Sequence, residues 1–293
     1  MDAPTPVPPD RVIVAAFERR EAVLEVIRGA RAHLMLSLFR CNDKEIFREL
    51  RAAVERGVTV EVLVTSRAKG GKKKLRKLWR RLEDTGATVF AYNDPVVKYH
   101  AKYLVADDGP ALVASLNLTR KCFVKTCDVV VVTHDPAVIS GLKLLMAADR
   151  EGNAAPETLP DRLILGPERA RRQFTAIIEQ ARSSISLVDA KLSDPGILAL
   201  LEERRAAGVA VRVHDERHLG DFKVHGKIML VDDERVIVGS LALTALSLDF
   251  RREVAIEVTE PAGVRAIQTL FQTLGVTATA PGDVPAAAAG GAS

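Results

Sequence analysis

The sequence predicts an α/β protein made of two homologous halves, each an α/β sandwich around a mixed sheet, with one active site at their interface. Three observations carry this. The pattern His-x-Lys-x-x-x-x-Asp occurs twice, as His100, Lys102 and Asp107 in "YHAKYLVADD" and as His225, Lys227 and Asp232 in "VHGKIMLVDD". The copies are in register: all three positions are displaced by 125 residues (100 to 225, 102 to 227, 107 to 232), and the same displacement carries Ser115 to Ser240 and Asp128 to Glu253. Around each copy the same order of helix-period and strand-period segments recurs, and a repeated unit bearing half of a site implies one shared site built by duplication.

Residues 1–10 contain four prolines, and residues 277–293 are rich in Pro, Ala and Gly; both are expected to be disordered tails. The first half then spans residues 11–155 and the second 156–276, joined through the linker-like "REGNAAPETLPD" at 150–161. Each half opens with a helix-period stretch (18–30 and 168–182) leading into an apolar strand, "HLMLSLF" or "SISLVDA". A second helix (43–56 and 194–207) closes on a glycine, suited to ending a helix, before the β-branched runs of "ERGVTVEVLV" and "AAGVAVRVH". The motif strand, a short turn ("DDGP" or "DDER") and a return strand follow. A further strand ("CDVVVVT" or "EVAIEV") precedes a closing helix. Alternating helices and strands of this kind indicate α/β layers. Val58 matches Val209 at a displacement of 151, so the first half carries about 26 extra residues before its motif, including a basic insertion at 67–84 and the strand "ATVFAYN".

A hydrophobic content of 47% and a charged content of 27% are those of a water-soluble globular chain, and no apolar run approaches the ~18 residues of a membrane span. The start lacks the pattern of a signal peptide, which makes the cytoplasm the expected location. Cys41, Cys122 and Cys127 are an odd set without metal-site spacing, expected as reduced thiols. The net charge of +4 is local in origin: residues 67–81 hold nine Lys and Arg and no acid, and the remainder has 33 basic against 38 acidic residues.

Side chains two apart on a strand share a face, so His100 with Lys102, and His225 with Lys227, are expected to point the same way. Ser115 and Asn117 share a face of the return strand, which folds back toward the pair. An ammonium beside an imidazole repels a metal cation, so no metal and no cofactor are expected. The same pair suits a phosphate, with Ser and Asn supplying hydrogen bonds. Two histidines around one phosphodiester permit covalent catalysis: one attacks phosphorus while the other protonates the leaving oxygen, then activates water or an alcohol.

The paired motif, with "ASLN" at 114–117 and "GSLA" at 239–242, resembles the signature of the phospholipase D superfamily, His-x-Lys-x-x-x-x-Asp followed by Gly-Ser-x-Asn. The resemblance covers about residues 11–275. It implies a phosphohistidine intermediate, with His100 as nucleophile, His225 as general acid, and Lys102 and Lys227 on the phosphoryl oxygens. It further implies Asp128 and Glu253 as acids that orient a histidine, and Asp107 and Asp232 as structural or orienting members of the catalytic motif. Ser115, Asn117 and Ser240 are expected to bind phosphate or orient the site. Two departures count: the first half has Ala114 where the family has Gly, a mild change, and the second half has Ala242 where the family has Asn, which loses one phosphate hydrogen bond.

The superfamily includes lipid enzymes and nucleases. Residues 72–84, "KKKLRKLWRRLED", place Leu75, Leu78, Trp79 and Leu82 on one helical face opposite Lys72, Lys73, Lys74, Arg76 and Lys77. Such a helix fits an anionic membrane surface or a phosphate backbone, or packs its apolar face on the sheet with its charges in water. Two motifs in one chain and 4% aromatic residues favour a glycerophospholipid substrate, met peripherally at the inner membrane surface by a monomer. The alternatives are a nuclease, with nucleic acid as partner, or a weakly active binding or regulatory homologue.

Overall fold

The computed structural model describes residues 8–67, 71–214, 218–219 and 222–275. The expected tails therefore lie almost wholly outside the described residues. Asp10 departs from the expectation, for it is buried and forms an ion pair with Arg162.

The first half runs β1 (Arg11–Ile13), α1 (Ala16–Gly29), β2 (His33–Leu38), α2 (Lys44–Glu55), β3 (Thr59–Thr65), α3 (Lys72–Glu83), β4 (Thr88–Tyr92), β5 (Lys98–Tyr99), β6 (Tyr103–Ala106), β7 (Ala111–Ala114), α4 (Arg120–Val124), β8 (Thr126–Cys127), β9 (Val130–Thr133) and α5 (Pro136–Glu151). The second runs β10 (Leu163–Gly166), α6 (Ala170–Glu179), β11 (Ser184–Val188), α7 (Pro195–Ala206), β12 (Ala210–His214), β13 (His218–Leu219), β14 (Phe222–Val224), β15 (Lys227–Val231), β16 (Arg235–Gly239), α8 (Ala245–Phe250), β17 (Arg251–Val258) and α9 (Pro261–Thr273). Helices α2 and α7 start on matched caps: Asp43 accepts from the Glu45 N–H and Asp194 from the Ile197 N–H. Gly57 and Gly208 follow them with φ of 88° and 90°, a conformation glycine adopts without strain. The extra segment of the first half is α3 and β4, and β4 extends the sheet beyond β3.

Each half has its own mixed sheet, ordered β1-β9-β7-β6-β2-β3-β4 in the first and β10-β17-β16-β15-β11-β12 in the second. The pairs β2–β3, β3–β4 and β11–β12 are parallel, and the remaining pairs within each order are antiparallel. Alternate residues of each strand face opposite layers. Leu104 and Leu112 join the outer core of the first half with α1 and α2, whereas Val105 and Val113 join a central core shared with Ile228, Leu230 and Val236 of the second. Helices α5 and α9 supply Leu142, Met146, Ile267 and Phe271 to that central core, while α6 and α7 cover the outer face of the second sheet. No helix among the described residues is long and apolar enough to cross a membrane.

The halves also exchange short strands. β5 pairs in parallel with β17 of the other half, Lys98 opposite Arg251 and Tyr99 opposite Arg252. Reciprocally, β14 pairs in parallel with β8, Lys223 opposite Thr126 and Val224 opposite Cys127. The two pairings are images of each other under the 125-residue repeat.

This exchange corrects the expectation of a continuous motif strand. His100 and His225 lie in breaks, the first between β5 and β6, the second between β14 and β15. The chain there leaves a ladder made with the opposite half, where the His100 N–H still donates to the Arg252 carbonyl at 2.9 Å, and enters its own sheet. Ser115 and Asn117 likewise lie just past the end of β7.

Candidate active site at the interface of the halves

Each motif histidine meets the acid of the other half. His225 places Nδ1 3.1 Å from Asp128 Oδ1, and His100 places Nδ1 against Glu253 Oε1 in a closer contact. Both acids are fully buried. The exchanged strands impose this arrangement, because β5 ends at His100 beside the strand that carries Glu253, and β14 ends at His225 beside β8 and Asp128. The Gly226 N–H donates to the Cys127 carbonyl at 2.7 Å, and a Cβ built on Gly226 would lie 2.5 Å from that oxygen. Only glycine lets the backbone approach so closely.

The lysines close the cluster. Lys102 Nζ lies 3.1 Å from His100 Nδ1 and also donates to the His100 carbonyl, and Lys227 Nζ donates to the His225 carbonyl. The side chains of His100 and Lys102 therefore converge although no continuous strand joins them, while Lys227 holds the backbone of His225. Asn117 faces His225 Nε2 at 3.5 Å, and its amide oxygen is buried with no protein partner among the described residues.

Ser115 is spent inside the protein, donating to Asp128 Oδ1 at 2.7 Å, so it orients the acid and does not reach toward phosphate. Thr126 bonds the other carboxylate oxygen, and buried Arg19 donates to the carbonyls of Thr126 and Asp128 at 2.9 and 3.0 Å. Ser240 is equally buried, 3.3 Å from the Val254 carbonyl oxygen and within 3.2 Å of the Val254 N–H. Asp107 and Asp232 are not among the groups brought together. Asp107 accepts from the N–H groups of Arg31, Ala32 and His33, each at 2.8 Å, and Asp232 from those of Arg182, Ser183 and Ser184. They sit at φ of 48° and 54°, a left-handed conformation that Asp tolerates, and pin the starts of β2 and β11. This placement supports the structural role for both.

Burial, then Lys102, Lys227, Arg251 and Lys191, hold His100 well below the usual imidazole pKa. His100 Nδ1 lies between Glu253 Oε1 and Lys102 Nζ, and in the tautomer whose Nδ1–H faces Glu253 the free lone pair is on Nε2. Burial pushes Lys102 down to about 7 against the pull of Glu253, and burial raises Glu253 to about 7 against the pull of Lys102. An arriving phosphate anion would restore the charge of Lys102. Burial works to raise Asp128, but the charge of His225 and hydrogen bonds from His225, Thr126 and Ser115 outweigh it and hold the carboxyl below its ordinary range.

Cys122, Asp128 and His225 bring three possible ligand atoms within 4.8 Å of one another. They suit a cation poorly. Burial first, then Asp128, raise the Cys122 thiol, and the Asp128 oxygens are already engaged by Ser115, Thr126 and His225. The other histidines stay apart: His33 pairs with Glu61, and His214 Nε2 contacts the His218 carbonyl. All three cysteines are free and buried.

A cleft of 640 Å³ opens at His100, lined by Phe39, Arg67, Lys72, Lys98, Leu246 and Arg251 among others. Of the basic helix, Lys72 reaches this cleft and Lys74 and Lys77 line a neighbouring one, while Lys73 and Arg76 are exposed outside both. Its apolar face packs on the protein, with Leu78 and Leu82 buried and Leu75 and Trp79 against the same core. Sequence reading missed Arg251, Lys191 and Asp189. Buried Asp189 accepts from the Leu243 and Lys191 N–H groups at 2.7 and 3.0 Å. An acid closing the apolar run "SISLVDA" was its available signal; Lys191 falls opposite Arg40 in the repeat, a shared cation that was the signal for it, whereas Arg251 falls opposite Thr126 and had none.

The family model described as "Cardiolipin synthase, PLD-like domain" matches residues 23–149 and 177–274. Among solved structures, the fold is similar to polyphosphate kinase from Porphyromonas gingivalis, with a TM-score of 0.75 and 19% identity over 90% of this chain, which spans 46% of that one. It is also similar to phosphatidylserine synthase from Haemophilus influenzae Rd KW20, with a TM-score of 0.68 and 12% identity over 92% of this chain and 86% of the other. No curated protein sequence matches it closely.

Proposed function

The chain belongs to the phospholipase D superfamily, and from that premise we propose that it cleaves or transfers a phosphodiester of a glycerophospholipid through a covalent phosphohistidine, without a metal. The observation that carries this reading is the reciprocal pairing of His100 with Glu253 and of His225 with Asp128. His100 Nε2 attacks phosphorus. As the N–P bond forms, the P–O bond to the leaving group breaks, and that oxygen takes a proton from His225 Nε2. Water or an alcohol then gives its proton to His225 and attacks phosphorus, breaking the N–P bond and releasing His100. Lys102, Lys227 and the Asn117 amide stabilise the charge that grows on the phosphoryl oxygens. The enclosure of His100, 14% exposed against 26% for His225, supports His100 as the nucleophile because burial keeps it uncharged.

The mixed lining of the His100 cleft, with Phe39 and Leu246 beside lysines, suits a molecule with an apolar part beside its phosphate, which supports a lipid. The test is label from a phosphorus-labelled phosphodiester retained on denatured protein in an acid-labile, base-stable form. It should be absent in His100→Ala and should accumulate in His225→Ala with a good leaving group. Label kept by His100→Ala, or activity lost to EDTA and restored by a divalent metal, would overturn the mechanism. Cleavage of plasmid DNA with no turnover of phosphatidylglycerol or phosphatidylcholine would replace the lipid by nucleic acid.

A further inference from the structure

The residue pattern of the paired half-sites does not by itself set a direction. Under the 125-residue repeat His100, Lys102 and Glu253 correspond to His225, Lys227 and Asp128, so a bare phosphodiester could enter either way round. Beyond Asn117 against Ala242 and the deeper burial of His100, the basic insertion adds an asymmetry, since α3 has no counterpart in the described residues of the second half. Beside the His100 cleft lies a second concavity of 470 Å³, and the two share Phe39 and Leu75 in their linings. Arg40, Lys74, Lys77, Arg81 and Lys121 line it, and no acid does. These cations come from three places: the segment after β2, helix α3 and the start of α4.

Among the described residues none of the five is in an ion pair, although Arg20, only one helix away, takes Asp43 at 2.8 Å. Arg40 lies over the Phe39 ring and Arg81 over the Phe47 ring, which holds both guanidinium groups in place without neutralising them. Charges of one sign gathered in a concavity with low-dielectric walls focus potential inside it. Lys73 and Arg76 of the same helix line neither cleft.

We propose that this concavity is a subsite for a second phosphate group, carried on the same alcohol as the reacting phosphodiester, and that it fixes which way round the substrate lies. The proposal rests on the phosphodiester reading above. Phe39 and Leu75, common to both clefts, would contact the carbon skeleton between the two phosphates. The shared chemistry is a bisphosphorylated alcohol; its source is either a glycerol skeleton, as in a lipid head group, or a sugar skeleton, as in a nucleotide.

The experiment is calorimetric binding to the full chain of glycerol 3-phosphate against glycerol 1,3-bisphosphate, and of thymidine 5′-phosphate against thymidine 3′,5′-bisphosphate. In one arm the bisphosphate should bind about tenfold or more tightly than its monophosphate, since charge-assisted contacts are gained. The ratio should narrow as salt is raised. It should fall to near one in Lys74→Gln/Lys77→Gln/Lys121→Gln, and a ratio within one preparation is insensitive to partial misfolding. Preference in the glycerol arm assigns the skeleton to a lipid head group, and preference in the nucleoside arm to nucleic acid. A ratio near one in both arms for the wild type, or a ratio that survives the triple substitution, overturns the subsite. A bisphosphate preference in a protein that turns over no phosphodiester leaves the subsite standing and removes the enzymatic reading.

Discussion

His100 differs from His225 through its surroundings and not through its motif. Its depressed pKa, set by burial and then by Lys102, Lys227, Arg251 and Lys191, keeps it neutral well into the acid range. The acid limb of kcat/KM should therefore lie below the ordinary imidazole value of ~6.5 wherever the nucleophile governs it. Arg251→Gln removes one of the depressing charges and should move that limb upward; an unmoved limb would mean that another group sets it. Ala242, matched by the repeat to Asn117, is buried, and Ala242→Asn should raise kcat/KM by about tenfold if the new amide reaches phosphate. A folded variant no faster than wild type would show that the second half makes no such contact. Asp107 tests the structural role. Asp107→Ala strips acceptors from three N–H groups and places Ala at a positive φ, so it should cost about 1–3 kcal/mol in denaturant unfolding, with Asp107→Asn milder.

Two kinds of element decide how the site is assembled. The exchanged strands β5 and β14 are only two and three residues long, yet each carries a histidine to the acid of the other half. Gly226→Ala should drive β14 away from β8 and lower kcat by more than it lowers thermal stability, because the backbone around His225 moves while the large cores remain. A drop in stability alone, with kcat unchanged, would show that His225 does not depend on this approach. Helix α3 is the other case. Its apolar stripe was legible as an amphipathic pattern, and it packs on the first half. Leu82→Ala should cost about 2–5 kcal/mol, since Leu82 is fully buried.

At the scale of the whole molecule, a largely buried polar cluster bridges the halves. Arg252 of β17 reaches Asp149 of α5 at 2.8 Å and bonds Glu168 and the Gly166 carbonyl. Burial raises Asp149 to about 7 in spite of Arg252, and Glu253 rises to about 7 for the same reason. A carboxyl whose folded pKa is raised binds protons more readily folded than unfolded. Its contribution to stability is fully present below the unfolded carboxylate value of ~4 and is lost as pH rises through about 7. Melting temperature should thus fall between these limits to the extent that these two groups dominate, and Asp149→Asn should flatten the slope. A slope unchanged in that variant would place the titration elsewhere.

The sequence by itself determined the duplication, the order of elements in each half and the identity of the paired His and Lys residues, because these are written in residue type and spacing. It also disclosed the asymmetry of Ala242 and of the basic insertion. Only the tertiary structure decided which acid serves which histidine, that the motif strands break at the histidines, and that Ser115 and Asp107 spend their hydrogen bonds inside the protein. The pairing of His100 with Glu253 joins segments more than a hundred residues apart through strands too short to carry a periodic signal, and the partners of His225, Asp107 and Ser115 also lie beyond the reach of local spacing. The basic cleft belongs to the same class: the run of lysines is visible in the sequence, but its convergence with Arg40 and Lys121 follows only from how α3 packs.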